Sequence, residues 1–129
     1  MTSDPLANAL NAILNDERRN KRECMVTPAT KLIGQVLRIM QLHGYLGEIE
    51  HIDDGRFGKY RIQLLGRINE CKAIRPRYPV TNRKLTDLRR RYLPSRDLGI
   101  LIVSTSKGLM TSDEVESKGL GGLALAYVW

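Results

Sequence analysis

Apolar residues recur every three or four positions in two parts of the N-terminal half, which is the spacing of an amphipathic helix. Residues 6–14 predict a first helix, with Asp4 as its N-cap and a proline at the first helical position. Residues 32–40 predict a second helix, which we expect to start at Pro28 and to end at Gly44.

Extended patterns lie between and after these two helices. Residues 23–27 predict a strand, and residues 49–52 and 59–65 predict two more, joined by the turn-forming residues 53–58. A further strand is expected within residues 68–74. The first half is therefore predicted to contain helix, strand, helix, strand and strand, in that order.

The strand predicted at residues 59–65 should have two different faces, because apolar and polar residues alternate along it. The apolar residues should join the core. Lys59 and Arg61 lie on the opposite face, which we expect to be basic and suited to phosphate contacts.

A joint is predicted at residues 76–79, where two prolines resist regular structure. It should separate an N-terminal α/β domain, residues 1–75, from a β-rich C-terminal domain, residues 80–129. In the second domain, residues 85–92 predict a short basic helix and residues 98–103 predict a buried strand.

The end of the chain predicts one more helix and one more strand. Thr111 and Glu114 have the spacing of a capping box, and the helix that they begin should stop at Gly119. Residues 123–129 predict a terminal strand. The fold class is therefore α+β, with two small α/β domains of which the second is mainly β with a short helix.

A polar segment follows the apolar strand where that strand should leave the core. It consists of Ser104, Thr105, Ser106, Lys107 and Gly108, which we name the hydroxyl segment. Its hydroxyls could bond phosphate, sugar or base edges, and its glycine would let a ligand approach the backbone. The alternative is a loop whose hydroxyls bond their own backbone, and the five residues alone favour that interpretation.

Positive charge is concentrated in the middle of the chain. The net charge is +7, and residues 67–96 contain ten lysines and arginines but only two acidic residues. Among them are Arg77, Arg89, Arg90 and Arg91, whose guanidinium forks match phosphate geometry. This distribution favours a nucleic acid as the partner over a merely solvated face.

Other chemistries have little support in the sequence. Two cysteines and two histidines form no CxxC or HxxxH pair, so neither a metal nor a cofactor is expected. Ser104 and Lys107 match a Ser-x-x-Lys motif, but they follow a strand and lack the companion motifs of an acylase. We expect no membrane span, no small-molecule substrate and a cytoplasmic location.

Several segments, spread over the whole chain, resemble one protein family. They are residues 4–10, 66–69, 75–78, 92–94, 104–111, Glu114, 119–122 and 125–129. Together they are similar to the signature of the small-subunit ribosomal protein eight family. Residues 66–69 and the basic insert before Leu93 resemble its archaeal and eukaryotic branch.

The resemblance implies two small α/β domains and a structural, ribosome-associated role without enzymatic activity. Members of the family bind a helical, internally looped region of the small-subunit rRNA, aid assembly of its central domain and contact neighbouring small-subunit proteins. The contact residues it implies here are the hydroxyl segment, Gly121 with Gly122, and Thr30 with Lys31. Leu123 departs from the polar residue usual after the glycine pair.

Two other functions stay open at this point. An RNA-binding translational repressor, acting on a messenger that mimics the rRNA site, would use the same residues. A small hydrolase would use Ser104 or Ser106 as its nucleophile, although no histidine partner can be placed for either serine.

Overall fold

The computed structural model describes residues 4–74, 77, 79–95 and 98–129. Their elements, in chain order, are α1 (Pro5–Arg18), β1 (Glu23–Val26), α2 (Lys31–Leu42), β2 (Leu46–Ile52), β3 (Lys59–Leu64), β4 (Cys71–Ala73), β5 (Pro79–Val80), α3 (Asn82–Tyr92), β6 (Ile100–Thr105), β7 (Gly108–Thr111), α4 (Ser112–Lys118) and β8 (Gly122–Val128). Helices beside antiparallel sheets confirm the α+β class. The joint expected at residues 76–79 lies partly outside the described residues, which do not include Pro76 and Tyr78.

Both N-terminal helices form where the periodicity predicts them, and a side chain caps each one. The Asp4 carboxylate accepts hydrogen bonds from two backbone N–H groups in the first turn of α1, at 3.1 and 3.3 Å. α2 begins at Lys31 rather than at Pro28, because Thr30 is its cap: the hydroxyl oxygen accepts from the N–H of Ile33 at 3.2 Å. Such caps satisfy N–H groups that the first turn leaves unpaired.

The N-terminal sheet has the strand order β1-β3-β2, and all its pairings are antiparallel. Ile62 in the central strand lies opposite Cys24 on one side and Ile49 on the other, and the predicted hairpin of β2 and β3 is confirmed. α1 contacts β1 and α2 contacts β2. Leu10 and Ile33 of the two helices and Ile62 of the sheet are fully buried in this core.

The strand predicted within residues 68–74 is shorter than expected and has a partner from the other half of the chain. β4 pairs antiparallel with β8, so that Cys71 lies opposite Val128. The chain divides into two compact units, of which the first ends at Asn69 and the second begins at Glu70. This division precedes the proline-rich joint, because strand pairing assigns β4 to the second unit.

β8 is the strand around which the second unit is organised. The sheet has the order β4-β8-β6-β7, and β5 also pairs with β8. Side chains of this sheet pack with α3 and α4 in one cluster, whose buried members are Ile74, Val80, Leu85, Leu88, Leu101, Val103, Met110, Val115 and Ala124. α4 has the predicted capping box of Thr111 and Glu114 and ends at Gly119, whose φ is +66°. Among the described helices, none is long and apolar enough to cross a membrane.

Candidate nucleic-acid interface

The hydroxyl segment forms a tight hairpin rather than an irregular loop. β6 extends beyond its predicted end and pairs with β7, so that Thr105 lies opposite Gly108. Ser106 and Lys107 form the turn between the two strands, and both are exposed. Gly108 has a φ of +111°, a conformation that side chains with a Cβ rarely adopt.

The hydroxyls of this hairpin differ in what they can still bind. Thr105 Oγ1 donates to the carbonyl oxygen of Gly108 at 2.7 Å and accepts from the N–H of Lys107 at 3.1 Å. This hydroxyl therefore holds the turn together, as the backbone-bonding interpretation expects. Ser104 is half-buried within the sheet, whereas Ser106 is exposed at the tip. Ser106 and Lys107 are the side chains of the segment best placed to reach a ligand.

The glycine pair lies beside the same hairpin. β8 pairs with β6 so that Leu123 lies opposite Ser104, which brings the two C-terminal candidate segments to one end of the sheet. A Cβ on Gly122 would lie 2.1 Å from the carbonyl oxygen of Ser104, so the close approach of two backbones requires this glycine. Gly121 is exposed, and the nearest atom to a Cβ there is the carbonyl oxygen of Val80 at 3.1 Å.

Thr30 and Lys31 stand at the start of α2 in the first unit. The Thr30 hydroxyl caps the helix as an acceptor, so its own proton can still be donated to a phosphate oxygen. The backbone carbonyl of Thr30 accepts a hydrogen bond from the Tyr60 hydroxyl at 3.2 Å, which fixes this end of the helix to β3. Lys31 is exposed. The start of α2 therefore offers one hydroxyl donor and one exposed cation.

The sheet face that carries Arg61 is mixed in charge, and the expectation of a basic face is wrong. Arg61 Nε donates to Glu23 at 2.9 Å, and its Nη1 lies 4.0 Å from a carboxylate oxygen of Glu50. This hydrogen bond and the carboxylate charges raise the pKa of Arg61. Cross-strand pairing places the carboxylates next to the cation, which the alternation within one strand does not reveal. Lys59, two residues earlier on the same face of β3, is half-buried.

The basic helix α3 separates its three consecutive arginines into two groups. The side chain of Arg89 is only 17% exposed, and its guanidinium bonds the Ser112 hydroxyl at 3.3 Å and the Asp113 carboxylate at the start of α4. Arg90 and Arg91 are exposed. Arg89 thus connects α3 with α4. Arg90 and Arg91 are the two arginines whose guanidinium groups are accessible to a phosphate.

Potential metal ligands do not cluster in the described parts of the chain. Within residues 4–74, 77, 79–95 and 98–129, no group of three His, Cys, Asp or Glu side chains could hold a metal ion.

Comparison with known proteins decides the family. Residues 4–129 match the family described as Ribosomal protein S8. The chain belongs to this family. Three curated relatives, from the strains L.S.2.15, M.14.25 and M.16.27 of Saccharolobus islandicus, are each named small ribosomal subunit protein uS8.

Each of these relatives is 54% identical to this chain over 129 residues, which cover 98% of this chain and 97% of the relative. The organism is archaeal, in agreement with the branch that residues 66–69 resemble. The S8 family consists of structural, non-enzymatic proteins, which overturns the hydrolase hypothesis.

In this S8-family protein the exposed face of α3 carries two further cations besides Arg90 and Arg91. Arg83 and Lys84 are exposed. Arg83 lies seven residues before the exposed Arg90, and Lys84 lies seven residues before the exposed Arg91. Residues seven apart share one face of a helix. The cations therefore form one exposed stripe on α3, in which Asp87 is the one acidic residue.

Replacing Arg90 and Arg91 together by glutamine should flatten the salt dependence of binding to intact small-subunit rRNA. Each lost phosphate contact lowers the slope of log affinity against log salt by about 0.9. Arg89→Gln should leave the slope unchanged but destabilise the protein by about 1 kcal/mol, because it removes the bond between α3 and α4. Filter binding at several salt concentrations and thermal unfolding measure the two effects. Equal slopes for the wild type and the double variant would exclude these arginines as phosphate ligands.

Proposed function

We propose that this protein is a structural constituent of the small ribosomal subunit that binds a helical, internally looped region of the small-subunit rRNA and aids assembly of the central domain. Membership of the S8 family, whose relatives are named small ribosomal subunit proteins, supports this proposal. The rRNA and neighbouring small-subunit proteins are the expected partners, on cytoplasmic ribosomes.

The observation that carries the proposal is the pairing of Ser104 with Leu123. An exposed hydroxyl, a lysine and the exposed backbone of Gly121 thus lie at one end of the same sheet. A-form RNA has a major groove too deep and narrow for side chains, so proteins recognise its 2′-hydroxyls, its phosphates and the distortions at internal loops. Short donors and acceptors at one end of a sheet suit such a surface.

We propose that the second unit supplies the specificity of RNA binding and that the first unit positions the protein on the RNA. Residues 97–129 hold two lysines and four acidic residues, so non-specific attraction to a polyanion is weak there. Specificity would then come from the fit of the hairpin and of Gly121 to the RNA. In the first unit, Thr30 and Lys31 would position the protein through phosphates.

Ser106→Ala tests the hairpin directly. We expect the affinity for the small-subunit rRNA to fall between about twofold and tenfold, since a lost neutral hydrogen bond is worth about 0.5–1.5 kcal/mol. The melting temperature should stay the same, because Ser106 is exposed at the tip. Ser117→Ala, at an exposed serine on α4, is the matched control and should leave affinity unchanged. Unchanged affinity together with a lowered melting temperature for Ser106→Ala would assign this residue a purely structural role.

Sedimentation of cell extracts in high salt tests the ribosomal assignment as a whole. The protein should stay with the small subunit, because a structural constituent is held by many contacts. Recovery mainly in ribosome-free fractions would instead favour the free-standing repressor that binds a messenger mimic of the rRNA site.

A further inference from the structure

Phe57 is the most exposed of the large apolar side chains in the described residues. It lies in the turn between β2 and β3 and is 79% exposed. An aromatic ring in water loses the stabilisation that burial gives to most phenylalanines. The ring is therefore accessible to a partner, although exposure alone does not identify one.

Side-chain hydrogen bonds shape the turn that carries Phe57. The Asp53 carboxylate accepts from the N–H of Gly55, and the Asp54 carboxylate accepts from the N–H groups of Arg56 and Gly58, all at 3.0 Å. Because the backbone is already ordered, contact through this turn costs little additional conformational entropy.

A hydrogen bond connects the turn to the segment before α2. The N–H of Ala29 is shared between the carbonyl oxygens of Phe57 and Gly58, each at 3.2 Å. Ala29 directly precedes Thr30 and Lys31 in the chain, so the aromatic tip lies beside the proposed phosphate contact of the first unit.

The immediate surroundings of Phe57 are polar and carry exposed cations. Arg56 is exposed in the turn itself, and Lys31 is exposed at the start of α2. Asp53 and Asp54 are exposed and negatively charged, and their carboxylates accept from the turn's own N–H groups. An exposed aromatic ring next to an exposed arginine fits a nucleic acid, in which bases stack and phosphates carry the negative charge. The choice of RNA over a protein as the occupant rests on the proposed function, and the crosslinking experiment below tests it.

We propose that Phe57 stacks on an unpaired base of the small-subunit rRNA while Arg56 and Lys31 contact the adjoining phosphates. This inference rests on the proposed function and adds a single-stranded contact to the helical one. The three side chains would act together. The ring of Phe57 covers the base, and the two cations hold the backbone of the RNA strand that presents this base.

A series of Phe57 substitutions tests the stacking. Binding of the full-length protein to an in vitro transcript of the intact small-subunit rRNA is measured for Phe57→Ala, Phe57→Leu and Phe57→Trp. Stacking predicts that alanine and leucine each weaken binding about tenfold, whereas tryptophan retains the affinity, because only the aromatic ring offers a π-face. Leu42→Ala, at an apolar residue that is 74% exposed in the same unit, is the matched control and should bind like the wild type.

Two results would overturn the inference while leaving the proposed function intact. One is unchanged affinity of Phe57→Ala for an rRNA that the wild type binds; the other is full retention of affinity by Phe57→Leu with loss in Phe57→Trp. Failure of the wild type to bind the rRNA would instead contradict the proposed function itself.

Photocrosslinking in assembled subunits identifies the occupant. A photoreactive benzoylphenylalanine in place of Phe57 should crosslink to rRNA at one short single-stranded segment. Crosslinks to a ribosomal protein alone would show that a protein covers this ring, and would overturn the assignment to RNA.

Discussion

Removal of Tyr127, Val128 and Trp129 is expected to unfold the second unit and to abolish binding to the rRNA. These residues end the strand that pairs with both β4 and β6. Val128 is fully buried, and such burial contributes about 1.5–3 kcal/mol. Tyr127 stacks on Tyr92 with ring centroids 4.9 Å apart, which adds about 0.5–1.5 kcal/mol.

The backbone of the last residue contributes as well. Trp129 exchanges two hydrogen bonds with Glu70, both at 2.8 Å, and these close the edge of the sheet next to β4. The free energy of unfolding of a domain is only about 5–15 kcal/mol, so the combined loss is comparable with the total stability of the second unit. Near-ultraviolet circular dichroism, a thermal scan and rRNA binding of the truncated chain measure the effect.

Trp129→Ala is the control for this truncation, because it keeps both backbone hydrogen bonds. It should unfold at a lower temperature than the wild type but still cooperatively, and it should still bind the rRNA. A truncated protein with a wild-type melting temperature would show that the end of β8 is dispensable, although this strand pairs with both β4 and β6.

Gly122→Ala is expected to destabilise the second unit by about 1–3 kcal/mol, the usual cost of overpacking a tight site. The added Cβ would lie 2.1 Å from the carbonyl oxygen of Ser104 and 2.9 Å from a methyl group of Val103. A backbone carbonyl in a sheet cannot move away alone, so β6 and β8 must separate at this end. The displaced hairpin should then bind the rRNA more weakly.

Gly121→Ala separates packing from RNA contact. Its Cβ would meet the carbonyl oxygen of Val80 at 3.1 Å, a contact that a small shift relieves at an exposed position. We expect a smaller loss of stability than for Gly122→Ala, together with weaker rRNA binding if the RNA approaches this backbone. Urea unfolding and filter binding of both variants give the comparison. Wild-type stability of Gly122→Ala would refute the close approach of the two strands.

Local signals in the chain account for much of the secondary structure. The apolar spacing of residues 6–14 and 32–40 predicts α1 and α2, and the capping box of Thr111 and Glu114 predicts the start of α4. These features succeed because a helix and its cap depend on residues three or four positions apart. The start of α2 is the exception, since both Pro28 and Thr30 are plausible first residues and only the cap bond distinguishes them.

Pairing across strands could not be predicted in the same way. β7 escaped prediction because it is short and follows a turn without the usual Asn-Gly or Asp-Gly pair. β4 lies opposite residues near the end of the chain, and nothing within residues 68–74 specifies so distant a partner. The pairing of β7 with β6 and that of β4 with β8 both depend on which strand of the sheet still has an unpaired edge when these segments dock.

The sequence by itself determined the family, the α+β class and the residues that carry the candidate chemistry, because these depend on residue identity and short spacing. The tertiary structure alone decided what each of those residues is free to do. It pairs Arg61 with Glu23, bonds Arg89 to α4, and makes Gly122 a packing residue. The physical reason is that charge neutralisation, hydrogen bonding and close approach are set by neighbours in space, which come from strands and helices far away along the chain.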